Sequence, residues 1–333
     1  MFSCSRRPIR KGVFAVVKTT TAGILAFVSA WGLTACGGGG GSSSSNVDDT
    51  PTERPSSADI SVDPNGHAER QISIDVQDDT DAILVLYEDA ENAYLLAEEM
   101  ETAVTSSSPT SSGNELTYDC KNGGEVVITV NSDEENDDER WRFDNCDLNT
   151  PTFGRIVLNG GYDYVNKVIR NDEGENIGDE GFQVFDITGS VVATEEGIVA
   201  KGLDEWKVVE NGDERTETYQ TDALEFIIGD DYFAIANALT TIQSDNSGVN
   251  ISLTSKLVGS NIGGYIEIST LEDVFVASGE SCPQSGTVRL DGENDSFAEI
   301  RYLDDTGTGD VAEITFGGSS DVVTYDNCES LIF

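Results

Sequence analysis

Histidine is almost absent from this chain: His67 is the only one in 333 residues. A serine or cysteine nucleophile activated by an imidazole thus has one base at most to draw on, and no Gly-x-Ser-x-Gly elbow accompanies it. A zinc centre of Cys and His ligands fails on the same count. Basic residues are scarce too, with 19 Lys and Arg against 62 Asp and Glu, a formal charge of −43. Such a surface rejects nucleic acid and anionic membrane faces. Neither a Gly-x-Gly-x-x-Gly turn nor a phosphate loop is present. No apolar run reaches the roughly 20 residues that a membrane-crossing helix needs.

What is present begins at the N-terminus. Residues 1–35 carry Arg6, Arg7, Arg10, Lys11 and Lys18 and no acid, followed by the uncharged stretch Ala22 to Leu33. A charged segment, a short apolar segment and small residues are the parts of a secretory signal. The stretch ends in Leu33-Thr34-Ala35-Cys36, which resembles the lipobox of bacterial lipoprotein precursors. The resemblance implies cleavage after Ala35, diacylglyceryl attachment to the Cys36 sulfur and N-acylation. With Gly37 rather than Asp next, it is compatible with sorting to the outer membrane, facing the periplasm or the cell surface. Removing the five basic residues of segment 1–35 takes the charge from −43 to −48. The run Ser5-Arg6-Arg7-Pro8-Ile9-Arg10-Lys11 is similar to a twin-arginine export motif, but Arg10 stands where an apolar residue is usual and a basic leader with two adjacent arginines accounts for it better.

Residues 36–70 read as a tether. Gly37 to Gly41 and Ser42 to Ser45 lead into a polar stretch with Pro51, Pro55 and Pro64. About 34 such residues span on the order of 30 Å as a coil. Order is expected from Gln71, with a short strand at Ile72, Ile74 and Val76. An amphipathic helix should follow, carrying Ile83, Leu86, Ala90, Tyr94, Ala97, Met100 and Val104 on one stripe. These two elements fill 71–110.

From there the chain alternates apolar and polar residues: Val126, Ile128 and Val130; Trp141 and Phe143; Ala298, Ile300 and Tyr302; Ala312, Ile314 and Phe316. One wet face and one buried face predict antiparallel sheets, as a sandwich or an open curved sheet, so the class is mainly β with one helix. Two β-rich halves, 111–200 and 201–333, are expected, either as separate units or as one continuous domain. Asn211-Gly212 marks a hairpin.

A motif recurs. Cys120 and Cys282 are each followed by Gly at +4 (Gly124, Gly286) and Val at +6 (Val126, Val288). Each is closed by an aromatic-Asp-Asn-Cys run, Phe143 to Cys146 and Tyr325 to Cys328. The two matched ends suggest a diverged duplication, which pairs Cys120 with Cys146 and Cys282 with Cys328 in an oxidising compartment. The pattern resembles uncharacterised acidic, β-rich lipoproteins of Gram-negative bacteria, a resemblance that implies no activity.

No catalytic residue, metal ligand or cofactor emerges from the sequence. Acidic loops at 133–138, 172–179, 291–295 and 304–310 offer oxygen donors to calcium, but none has EF-hand spacing and solvated turns explain them. The leading expectation is a lipid-anchored envelope protein with a binding or structural role toward an unknown protein or glycan partner, and no enzymatic site is legible. The alternatives are a hydrolase using two carboxylates beside Trp141 or Trp206, and a lipid or lipoprotein carrier with an apolar cavity.

Overall fold

The computed structural model describes residues 59–74, 99–133, 135–280, 282–303, 312–317 and 322–325. Segment 1–35, Cys36 and most of the expected tether lie outside the described residues, as do 75–98 of the expected strand and helix and Cys328.

Fifteen strands follow one another in the chain and pair in that same order, every pair antiparallel. The first are β1 (Thr110–Ser112), β2 (Glu115–Asp119) and β3 (Glu125–Ser132). The long central ones are β4 (Asn136–Thr150), β5 (Gly154–Arg170), β6 (Asn176–Val191), β7 (Gly197–Asn211) and β8 (Glu214–Ile228). Next come β9 (Asp231–Ser244), β10 (Gly248–Gly259) and β11 (Gly264–Ala277), then the shorter β12 (Ser285–Asp291), β13 (Phe297–Tyr302), β14 (Ala312–Phe316) and β15 (Val322–Tyr325). The boundary expected at 200/201 falls inside β7, so the two β-rich halves share one sheet. Asn211 pairs with Glu214 across the tight turn at Gly212, as the Asn-Gly signal predicts.

Among the described residues no pairing joins β1 to β15, so the sheet is open. Flat, its strands would spread over about 70 Å at about 4.8 Å each. Yet one hydrophobic cluster includes side chains from β2 (Leu116) to β15 (Val323), together with Ile74, Met100 and Val104. Wide twisted sheets curl, and the described helical residues 99–105 add Met100 and Val104 to the buried face. Met100 and Val104, the last two positions of the expected stripe, are 4% and 2% exposed.

Residues 59–70 correct the tether reading. They form a strap against the opposite face of the sheet, where Ile60 and Ala68 pack on Tyr232, Ala234, Val258 and Tyr265. The clasp is Glu225, 1% exposed. Its carboxylate accepts the N–H of Ser61 (2.7 Å) and of Val62 (2.9 Å), and the hydroxyls of Ser61 and Tyr232 (each 3.1 Å). Lys256 donates to the Ala68 carbonyl at 2.6 Å and lies 3.9 Å from the Tyr265 ring centre. His67, expected in the tether, is buried here and stacks on Tyr232 at 6.1 Å. The strap then makes a single bridge, Gln71 to Tyr265, in place of a strand, and sends Ile74 into the core. Gly264 lets it pass: a Cβ there would lie 2.3 Å from the Arg70 carbonyl oxygen. A few apolar side chains and one long-range carboxylate order a stretch whose composition is that of a coil, and no local pattern announces either.

The Cys120–Cys146 disulfide is present, with a Cα separation of 5.3 Å. It ties the β2–β3 turn to a bulge in β4, where Asn145 has φ 47°. Gly124 (φ 74°) is required beside it, because a Cβ would sit 2.0 Å from the Asn145 carbonyl oxygen. Gly286 also has positive φ, at 121°. The two cysteine units nevertheless differ in content. The first spans β3 and β4, adjacent strands, whereas β12 and β15 of the second are separated by β13 and β14. Cys282 is disulfide-bonded.

Two outcomes are expected. Glu225→Ala removes the acceptor of four donors, on Ser61, Val62 and Tyr232, and should cost about 2–4 kcal/mol. Limited proteolysis should then cut first within 59–70, and an unchanged cleavage pattern would contradict the clasp. Non-reducing peptide mapping should return Cys120–Cys146 and Cys282–Cys328. The first closes a loop worth about 3.5 kcal/mol in the chain-entropy model.

Candidate functional site

Cross-strand register sorts the core face into rows. Toward the end of the sheet that the strap crosses, the row Phe143, Gly160, Ile187, Ala200, Phe226 and Phe233 carries no polar side chain. The next row begins with an aromatic ladder. Trp141 stacks on Tyr162 at 5.2 Å, and Tyr162 on Phe185 at 5.9 Å.

One step further the chemistry changes. Glu139, Tyr164, Gln183, Asp204 and Thr221 lie side by side across β4 to β8. Glu139 is 4% exposed, Gln183 and Asp204 each 1%. Beyond them runs a mixed row of Asp137, Asn166, Gly181, Trp206 and Tyr219. The far turns that follow carry Asp133, Glu135, Asp172, Glu173, Glu175, Asp213 and Asp245, with no lysine or arginine in them.

The buried acids find donors on neutral side chains. Glu139 accepts the Trp141 indole N–H at 3.0 Å, and Asp179 that of Trp206 at 3.1 Å. Asp204 accepts the Thr221 hydroxyl at 2.8 Å and the Gln183 amide at 3.2 Å. Glu217 accepts the Tyr219 hydroxyl and pairs with Arg215 at 3.0 Å. Burial pushes the Glu139 carboxyl up to about 7, against the pull of the Trp141 hydrogen bond and with help from Asp137 and Glu101. Burial also pushes Asp204 up to about 7, although Thr221 and Gln183 both favour its anion. Asp179 is raised by the same desolvation.

Trp206 reaches across a strand. It stands on β7 and stacks on Tyr164 of β5 at 5.1 Å, passing over Gly181 of β6. A Cβ at Gly181 would meet the Trp206 ring at 2.4 Å and the Val165 carbonyl oxygen at 2.1 Å. The missing side chain makes the stack possible.

Of the residues singled out from sequence, Trp141 and Trp206 both lie on this face, each bound to its own carboxylate. Cys120 and Cys146 meet at the β2–β3 turn instead, while Cys36 and Cys328 fall outside the described residues. Glu139, Gln183 and Asp204 were not anticipated. A signal existed: Glu139 shares the parity of Trp141 and Phe143, and Asp204 that of Ala200, Trp206 and Val208, so both acids occupy buried positions of an alternating strand. Among the described residues no three or more His, Cys, Asp or Glu side chains are grouped so as to hold a metal ion.

Gly181→Val should expel the Trp206 ring, cost about 1–3 kcal/mol as overpacking does, and shift tryptophan emission to the red. Unchanged emission would contradict the bridging stack. The chain matches no protein-family model, no curated protein and no solved structure.

Proposed function

We propose that this protein is a lipid-anchored envelope component, held at the outer membrane through acyl chains on Cys36, with a binding or structural role toward a protein or glycan partner. The observation that carries the reading is the strap. The last part of the expected tether, residues 59–70, is clasped to the sheet by Glu225, Lys256 and Tyr232 before the chain enters the core. An anchor attached there delivers position, and any load, to the whole sheet rather than to a frayed end. The basic leader and the Leu33-Thr34-Ala35-Cys36 run support lipidation, and the acidic far turns suit a partner that is not a nucleic acid.

A binding or structural role is favoured over carboxylate hydrolysis because Glu139 and Asp204, the carboxyls pushed up to about 7, are 4% and 1% exposed. Catalytic carboxyls must reach a glycosidic oxygen and a water. Side chains so enclosed serve the sheet first.

Cys36→Ala should abolish labelling by a fatty-acid probe in cells and move the protein from the membrane fraction to the soluble one. Continued labelling of the variant would overturn the anchoring reading.

A further inference from the structure

The core row has more acceptors than donors. Trp141 supplies one N–H to Glu139, while Thr221 supplies one O–H, Gln183 one N–H and the Glu205 backbone one N–H to Asp204. Gln183 Oε1, on a side chain that is 1% exposed, has no donor at all, and Asn166 Oδ1 on the neighbouring strand has none either. Ionised carboxylates only accept, so two anions would deepen this deficit. A protonated carboxyl brings one donor of its own, and proteins neutralise buried acids rather than leave them charged without a cation.

Among the described residues no cation acts on either carboxyl. Glu139 faces Asp137 on its own strand, Glu101 on the helical segment, Tyr118 on β2 and Tyr162 and Tyr164 on β5. Asp204 faces Glu205 on its own strand, Gln183 on β6 and Thr221 on β8. Every charged group acting on either is itself an acid.

We infer that the folded sheet stores two protons in this row, one on Glu139 and one on Asp204, and that their release above neutral pH loosens the strands β4 to β8. The Gln183 amide is symmetric enough to turn over. In that orientation the Asp204 O–H donates to Gln183 Oε1, and the amide N–H takes the position that Oε1 held. Tyr164, between Gln183 and Glu139, completes the row.

The sign follows from proton counting. Below the ordinary carboxyl range both folded and unfolded chains hold these protons, and nothing differs. From there to about pH 7 the folded chain keeps protons that the unfolded chain has lost, so stability falls as pH rises. Above about 7 the loss is complete and the dependence levels off. Across the window each group weakens folding by a factor on the order of 10²–10³.

The decisive comparison is urea unfolding of the full chain and of Glu139→Gln, Asp204→Asn and the double variant between pH 5 and 9. The wild-type midpoint should fall toward pH 8. Each amide should flatten that fall and leave the variant at least as stable as wild type at pH 8, the double variant most of all. Variants that retain the wild-type slope would overturn the inference, since the remaining acids titrate alike in all four chains. Infrared spectroscopy of the wild type supplies a reading that needs no variant to fold. A carbonyl band of protonated carboxylic acid should persist at pH 6, and its absence would overturn the inference. Amide protection factors in β6 to β8, taken relative to the base-catalysed intrinsic rate at each pH, should fall between pH 6 and 8 in the wild type and stay level in the double variant.

Discussion

Everything in this protein answers one constraint: a single antiparallel sheet of 15 strands must bury one face with no second sheet to pack against. Burial is worth roughly 25 cal/mol per Å² of apolar surface, so an uncovered face would forfeit most of the folding energy. Curling supplies the cover, and bulges let long strands bend. Asn145 in β4 and Asn237 in β9 take positive φ beside register shifts, which are the places where a strand changes direction. The helical segment and Ile74 fill what the curl leaves between its walls.

The same geometry explains where the charges go. A chain with 62 acids and 19 bases cannot pair most of its carboxylates with cations. The cations it has are used largely toward solvent, as in Arg142–Asp163 at 2.6 Å and Lys207–Glu180 at 2.9 Å, with Arg142 and Lys207 more than half exposed. Pairs of that kind contribute about 0–1 kcal/mol. Inside, tryptophan, tyrosine, threonine and glutamine do the partnering, and backbone amides of the strap do it for Glu225. Hydrogen bonds from neutral donors satisfy a carboxylate without cancelling its charge, which is why burial dominates the proton affinity of Glu139 and Asp204.

The strap and the polar row stand at different parts of the sheet and meet different demands. The strap holds residues 59–70 against one end, on the outer surface, by fixed hydrogen bonds to Glu225. The row crosses the inner surface toward the far turns. Between them lies an apolar band without a charged group, from Phe143 to Phe233. A disturbance of the row therefore need not release the strap, and stability can vary along the strands as local opening requires.

The sequence by itself determined the strand class, because alternation at 126–130, 141–143, 298–302 and 312–316 leaves one face apolar whatever the partner strand. It also determined the Asn211-Gly212 turn and the Cys120–Cys146 pair, since both rest on short spacings within neighbouring strands. Even the buried parity of Glu139 and Asp204 was written in their strands. What only the tertiary structure decided were the relations between distant residues. Glu225 meets Ser61 across 164 positions, Trp206 finds Tyr164 over Gly181, and five strands line up Glu139 with Thr221. Local periodicity tells each strand which face to bury. Register and curl, set by every strand together, decide which buried residues become neighbours.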